Sequence, residues 1–392
     1  MKKAFINLFL ERKLISQLKR PKRKPAEFLF GIWALALSAC GRTVSPDESG
    51  ANLVPTAFDD LLLGSSAIDS ITGLAGNDTI YGFGGNDQIL AGDGDDLIYG
   101  GDGDDYIDPG AGSDEIYGGD GNDQILLSSG LDIEDGGDGL DTIVNNSTVA
   151  SRPFTIDLAN GKYHYTDQIT SSTKNLISIE NIESTAATDI TVHDTVEKNI
   201  ITTMNGNDTI HSKGGDDVIS TGAGNDIVYL KNGNYTVDLG AGDDTVYLST
   251  SMSMVEGGNG TDTAVIRAFD GFVDVTVDLS FSTYFVQSRL EAQDGQDINL
   301  TSFEKIMIEG NVAAILIGST GADNLIGDDG ADTLQGNAGA DTLTGGNRQD
   351  TFVFTTGDTG IIEAEADTIT DFVSGNDLID LASITDGNIG TY

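Results

Sequence analysis

The chain is poor in everything that usually staples or catalyses. Its 392 residues include one cysteine, so no intramolecular disulfide holds it. Three histidines (His164, His193, His211) lie far apart in the sequence, with no HExxH pair, GxSxG elbow or cysteine nucleophile among them. They read as ordinary surface or strand residues, and the chain reads as a non-enzyme. Lys and Arg number only 20 against 63 Asp and Glu. Nine of the 20 precede residue 40, which leaves 11 basic against 61 acidic side chains in residues 40–392. Repulsion excludes nucleic acid and anionic membrane surfaces as partners of that region, and metal cations become its natural counter-charge. Core residues are scarce for the length, so composition alone would permit a flexible acidic linker.

The basic start runs into the apolar stretch Phe28–Leu37 and then into Leu37-Ser38-Ala39-Cys40-Gly41. That order predicts a signal peptide over 1–39, its apolar part too short to span a bilayer stably. The sequence LSAC resembles a bacterial lipobox, which implies acylation at Cys40 and attachment to a membrane through lipid. A linker follows at 40–54.

From Pro55 the chain falls into ten uninterrupted blocks of nine, such as GLAGNDTIY, GFGGNDQIL and GGDGNDQIL. The sixth position is always Asp: Asp60, Asp69, Asp78, Asp87, Asp96, Asp105, Asp114, Asp123, Asp132 and Asp141. The eighth is apolar except at Glu134. Phe58 and Ala67 stand where later blocks have Gly at the fourth position, so the array frays at its start. A first array thus spans 55–144. A second, at 203–265, carries Asp208, Asp217, Asp226, Asp244 and Asp262 and is broken by Tyr235 and Ser253. A third, at 318–353, carries Asp323, Asp332, Asp341 and Asp350. Between them, 145–202 and 266–317 hold alternating runs such as FTIDL and VDVTVDL, predicted as related β spacers that continue or cap the neighbouring arrays. A linker has no reason to place an apolar residue two positions after each Asp, and periodicity therefore overrides composition.

These blocks reproduce GGxGxDxUx and resemble the repeats-in-toxin, or haemolysin-type, calcium-binding family. The resemblance implies an all-β fold, a right-handed parallel β-roll in which GGxGxD is a Ca²⁺-binding turn and xUx a short strand. It implies metal ligation by Asp78, Asp87, Asp96, Asp105, Asp114, Asp123, Asp141, Asp208, Asp217, Asp226, Asp244, Asp262, Asp323, Asp332, Asp341 and Asp350. The segment 354–392, with ADTITDFVSGNDLIDLASI, resembles the tail of serralysin-type, type I secreted proteins. In that family the region continues further, whereas Tyr392 ends this one, which reads as a shortened tail or a truncated product.

The chemistry agrees with the resemblance. Glycine permits left-handed backbone in a tight reversal and lets carbonyls approach an ion. With two blocks per coil, residues 18 apart stack at about 4.8 Å. Two carboxylates at that separation repel by about 1 kcal/mol in water and about 3.5 kcal/mol at an effective dielectric of 20. A hard cation taking six to eight oxygens reverses the sign, so binding and folding become one event. Little fold is expected without calcium. Extracellular-type sites have dissociation constants on the order of 10⁻⁴ to 10⁻³ M, which predicts folding after export.

Other readings fit less well. The DGDD stretches at 93–96 and 102–105 lack the Glu and flanking helices of an EF-hand, and the GxG runs lack the Lys-Ser or Lys-Thr of a phosphate loop. Ice binding would need a regular Thr or Asn array that is absent. The expectation is a calcium-loaded, secreted or surface-anchored structural or adhesive protein, extracellular or held as an outer-membrane lipoprotein. The alternative is a secretion and folding module of a larger exported enzyme or toxin. The sequence names no protein or polysaccharide partner.

Overall fold

The computed structural model describes residues 43–44, 55–128, 132–146, 154–166, 171–231, 233–248, 253–267, 274–279, 285–287, 297–356 and 366–383. The predicted signal peptide and Cys40 lie outside the described residues. The chain divides into two compact units, Met1–Asp141 and Thr142–Tyr392. Each is a parallel β-solenoid. The described residues contain no α-helix, and none of their helices is long and apolar enough to cross a membrane.

In the first unit the strands alternate between two parallel sheets. One sheet runs Leu61–Leu63, Thr79–Gly84, Leu97–Asp102, Glu115–Asp120 and Ile133–Asp138. The other runs Ser70–Ala75, Gln88–Asp93, Tyr106–Ala111 and Gln124–Leu126. Partners are 18 residues apart, as in Ile80↔Ile98 and Ile89↔Ile107, so two nonapeptides do make one coil.

Period-2 alternation turns the eighth residue of each block inward. Leu62, Ile80, Ile98 and Ile116 form one interior column and Ile71, Ile89, Ile107 and Ile125 the facing one, all 0 % exposed. Each such burial contributes about 1.5–3 kcal/mol. Glu134 continues the first column and is also fully buried.

Leu61–Leu63 and Gln124–Leu126 have the three residues expected, but Thr79–Gly84 and its neighbours have six. Pairing runs on through the glycines, as in Gly101↔Gly119. The reason is steric. Gly119 has φ +128°, and a Cβ there would collide with the Gly101 carbonyl on the coil before, so only glycine lets successive turns stack this closely. Leu74 and Phe83 occupy the same left-handed position at φ 80° and 76°, where L side chains are strained.

The second unit repeats the scheme with the three-residue strands the sequence predicts, such as Thr209–His211, Ile227–Tyr229, Asn324–Ile326 and Thr342–Thr344. Its spacers are not plain continuations. In the first, Phe154–Asp157, Lys162–Thr166 and Ser171–Ile177 form an antiparallel meander before Phe154–Asp157 pairs in parallel with Ile190–His193. In the second, Asp274–Asp278, Phe285–Gln287 and Asp297–Thr301 do the same, flanked in parallel by Ala313–Ile317 and Ser253–Glu256. The two insertions lie in opposite sheets.

Outward side chains at the ninth position stack along the axis. Tyr81, Tyr99 and Tyr117 form one ladder, with centroids 4.9 and 5.0 Å apart. His193, His211, Tyr229 and Tyr247 form another at 4.6, 4.7 and 4.6 Å, with the Arg267 guanidinium 4.3 Å from the last ring. Two of the three histidines are thus members of a stack along the sheet.

Candidate metal-binding turns

Each coil turns at the GGxGxD segment, and the Asp that ends the segment folds back into the turn. All sixteen aspartates for which the family resemblance implies metal ligation are buried, at 4 % exposure or less. Most share one arrangement. The amide of one Asp donates to Oδ1 of the Asp 18 residues later: Asp60 to Asp78 at 2.7 Å, Asp69 to Asp87 at 2.8 Å, Asp87 to Asp105 at 2.8 Å, Asp208 to Asp226 at 2.7 Å and Asp332 to Asp350 at 2.9 Å. The next amide donates to the earlier Asp carbonyl, as Tyr106 does to Asp87 at 2.8 Å.

The second carboxylate oxygen is left over. In Asp78, Asp87, Asp96, Asp105, Asp123, Asp244, Asp262, Asp332 and Asp350, Oδ2 is buried and accepts no hydrogen bond. Such an oxygen is costly unless a cation meets it. In blocks that begin with glycine, such as those of Asp87, Asp105 and Asp123, Oδ2 points over that glycine, beside the carbonyl of the corresponding residue one coil further on. A Cβ built on Gly100 would lie 2.6 Å from the Gly118 carbonyl oxygen and closer still to Asp105 Oδ2. The same pair of oxygens borders the space at Gly82 (Asp87 and Gly100) and at Gly118 (Asp123 and Gly136). On that edge of the first array Gly64, Gly82, Gly100, Gly118 and Gly136 keep the space open on every coil. The opposite edge has Gly73 followed by Ala91, Pro109 and Leu127. The third array has glycine at every equivalent place: Gly318, Gly327, Gly336 and Gly345.

Electrostatics follow from this crowding. Burial pushes Asp78, Asp87 and Asp123 up to about 7 from an ordinary 3.8, opposed in part by the amide each accepts and reinforced by the carboxylates one coil away. Asp105 rises to about 6, Asp332 and Asp244 to about 7, and Asp323 and Asp208 to about 6, with burial again the leading cause. Asp96, Asp226, Asp262 and Asp350 are raised for the same reason.

The donors are all oxygen, anionic and neutral together, which suits a hard divalent ion of flexible coordination such as Ca²⁺. Among the described residues no three His, Cys, Asp or Glu side chains cluster closely enough to hold a metal alone, so main-chain carbonyls complete any site. Fit and chemistry agree: orphaned carboxylate oxygens beside inward carbonyls, with glycine leaving room between them.

Several members of the column are invisible to a nine-residue period. Glu304 Oε2 accepts the Asp262 amide at 2.9 Å, Asp367 Oδ1 accepts that of Asp341 at 3.1 Å, and Asp377 Oδ1 accepts that of Asp350 at 3.2 Å. Asp371 takes the amides of Gly345 and Gly346. The DFVSGNDLIDL stretch therefore carries the roll one coil further. Tyr235 and Ser253, which interrupt the Asp pattern, are buried in its place at 2 % and 4 % exposure.

A family comparison points the same way. The RTX calcium-binding nonapeptide repeat (4 copies) family matches residues 56–89, 63–98, 81–116, 100–134, 108–143, 202–237 and 317–352, together less than half of the chain. No curated protein matches. Among solved structures, the crystal structure of extracellular lipase LipA from Serratia marcescens aligns with 15 % identity and a TM-score of 0.17. That alignment covers 55 % of this chain and 37 % of the lipase. Segments 56–143, 202–237 and 317–352 are RTX calcium-binding nonapeptide repeats, and Ca²⁺ is the ion such repeats bind.

Proposed function

We propose that this chain is an exported protein whose β-solenoid is completed by Ca²⁺ in the calcium-rich medium outside the cell. The carrying observation is the column of buried aspartates whose Oδ2 atoms have no partner, Asp87, Asp105 and Asp123 foremost, facing the carbonyls of Gly100 and Gly136. Stacked ionised carboxylates oppose folding, and a divalent ion between them favours it; the sign of the total depends on calcium. Equilibrium dialysis of the full chain with calcium should show several ions per chain, released by chelator. Less than one ion per chain at millimolar calcium would sink the proposal.

In this reading the protein is a non-enzymatic surface or matrix module, held by a lipid on Cys40. The absence from the sequence of a nucleophile or zinc motif supports the first part, and the LSAC sequence the second. Radioactive fatty acid should label the chain and fail on Cys40→Ser; equal labelling of both would refute the anchor. Hydrolase activity in the purified chain would refute the non-enzymatic role.

A further inference from the structure

We propose that the middle array keeps its fold without calcium, so that the chain carries a folded segment into compartments where the other arrays are open. This goes beyond the calcium-dependent reading above and concerns where that dependence stops.

The observation is what stands at the first position of each block. Where glycine occupies it, the space beside Asp Oδ2 and the next coil's carbonyl is free. In the middle array that position holds Thr203, Ser212, Thr221, Leu230, Leu239 and Leu248, and glycine returns only at Gly257. All six side chains are buried, at 3 % exposure or less. They fill on both edges the space that the first array leaves open along one edge and the third array along both.

The fillings also satisfy the carbonyls an ion would meet, while Oδ2 of Asp244 and Asp262 on the same edge stays buried and unpartnered. Thr203 Oγ1 donates to the Thr221 carbonyl at 3.1 Å, and Thr221 Oγ1 donates to the Leu239 carbonyl at 2.7 Å. These carbonyls correspond to those of Gly100 and Gly118 in the first array. On the other edge Tyr235 takes the place of an aspartate. Its phenol fills the turn beside Gly233, and its hydroxyl lies 3.0 Å from Ser212 Oγ, which in turn donates to Asp217 Oδ2 at 3.0 Å. Of the position-six residues on this edge, Asn199, Asp217, Tyr235 and Ser253, only one is an acid. On this edge charge repulsion is reduced, and hydrogen bonds and apolar burial replace metal coordination; the other edge keeps the acids Asp208, Asp226, Asp244 and Asp262 but has its carbonyls satisfied by the threonines. Once formed, this segment offers sheet edges on which the coils of the third array add when calcium arrives, without a new nucleation step.

Hydrogen exchange of the full chain, with chelator and with millimolar calcium, tests this directly. Equivalent amides after the sixth residue of the block can be compared: Ile227, Thr236 and Thr245 in the middle array with Leu97, Tyr106 and Glu115 in the first and Thr342 and Thr351 in the third. In chelator the middle amides should exchange at least about tenfold more slowly than the others, and calcium should close the gap. Equal exchange in all three arrays in chelator, whether fast or slow, overturns the inference. Protection of the first and third arrays that ignores calcium would instead overturn the calcium-dependent reading. A variant adds a second readout: Tyr235→Asp should lose the chelator-resistant protection, while Tyr235→Phe should keep most of it. Unchanged protection in Tyr235→Asp also overturns the inference.

Discussion

The amide of Asp69 donates to Oδ1 of Asp87, one coil on, at 2.8 Å, and leaves Oδ2 of the same carboxylate buried without a donor. Half of the side chain is thus committed to the backbone ladder and half is free for a cation. Repeated at Asp105 and Asp123, this division of labour makes one residue type serve both fold and metal site.

Asp87→Asn separates the two halves. An amide keeps the Oδ1 acceptor for Asp69 and replaces the charged Oδ2, so the roll should still form in high calcium. The calcium midpoint should rise by about tenfold, ~1.4 kcal/mol per site. A calcium titration of the variant that overlays the parent would show that Asp87 is no ligand.

Backbone strain gives a prediction of opposite sign at neighbouring coils. Leu74 sits at φ 80° with half its side chain exposed, at the position where later coils have Gly92 and Gly110. Leu74→Gly should stabilise the calcium-loaded protein by roughly 0.5–1 kcal/mol. Gly92→Ala should do the reverse and by more, because its Cβ would collide with the Leu74 carbonyl. Chelator-induced unfolding of the two variants should move to opposite sides of the parent.

The pH dependence has a definite sign. Asp78, Asp87 and Asp123 rise from 3.8 to about 7 in the metal-free fold, so that fold binds more protons than the open chain between those values. Stability from the neutral carboxyls is fully present below about pH 4 and is lost as pH climbs toward 7. In chelator, acidification from pH 7.5 to 5 should increase β-structure. In calcium the same acidification should weaken binding, since protons and metal compete for Oδ2. A metal-free circular dichroism spectrum that is flat across this range would contradict the assignment of buried, neutralised aspartates.

Tyr99 is the middle ring of the Tyr81–Tyr117 ladder, stacked on both sides. Tyr99→Ala should cost about 1–3 kcal/mol in the calcium-loaded state without changing the number of bound ions. A change in stoichiometry would mean that the ladder shapes the turns as well as the sheet.

Much of this architecture is written in the sequence because its period is local and exact in length. Asp87 and Ile89 specify a turn residue and an inward residue two positions apart, and the same pair 18 residues later specifies the neighbouring coil. What escaped the period escaped for physical reasons. Glu304, Asp367 and Asp377 extend the Asp column across intervals of 42, 26 and 27 residues, which the chain bridges by loops that no repeat encodes. The antiparallel meanders around Lys162–Thr166 and Phe285–Gln287 arise from alternating strands whose direction is set by pairing rather than by pattern. Thr203, Thr221 and Leu239 look like small departures from a glycine consensus, and only their burial reveals that they occupy the space an ion would otherwise need.

The central claim is that calcium completes the solenoid. Far-UV circular dichroism of the full chain during a calcium titration, with magnesium as control, tests it most directly. The account predicts a partial β signal in chelator that grows cooperatively with Ca²⁺ in the millimolar range and not with Mg²⁺. A spectrum indifferent to calcium would contradict it.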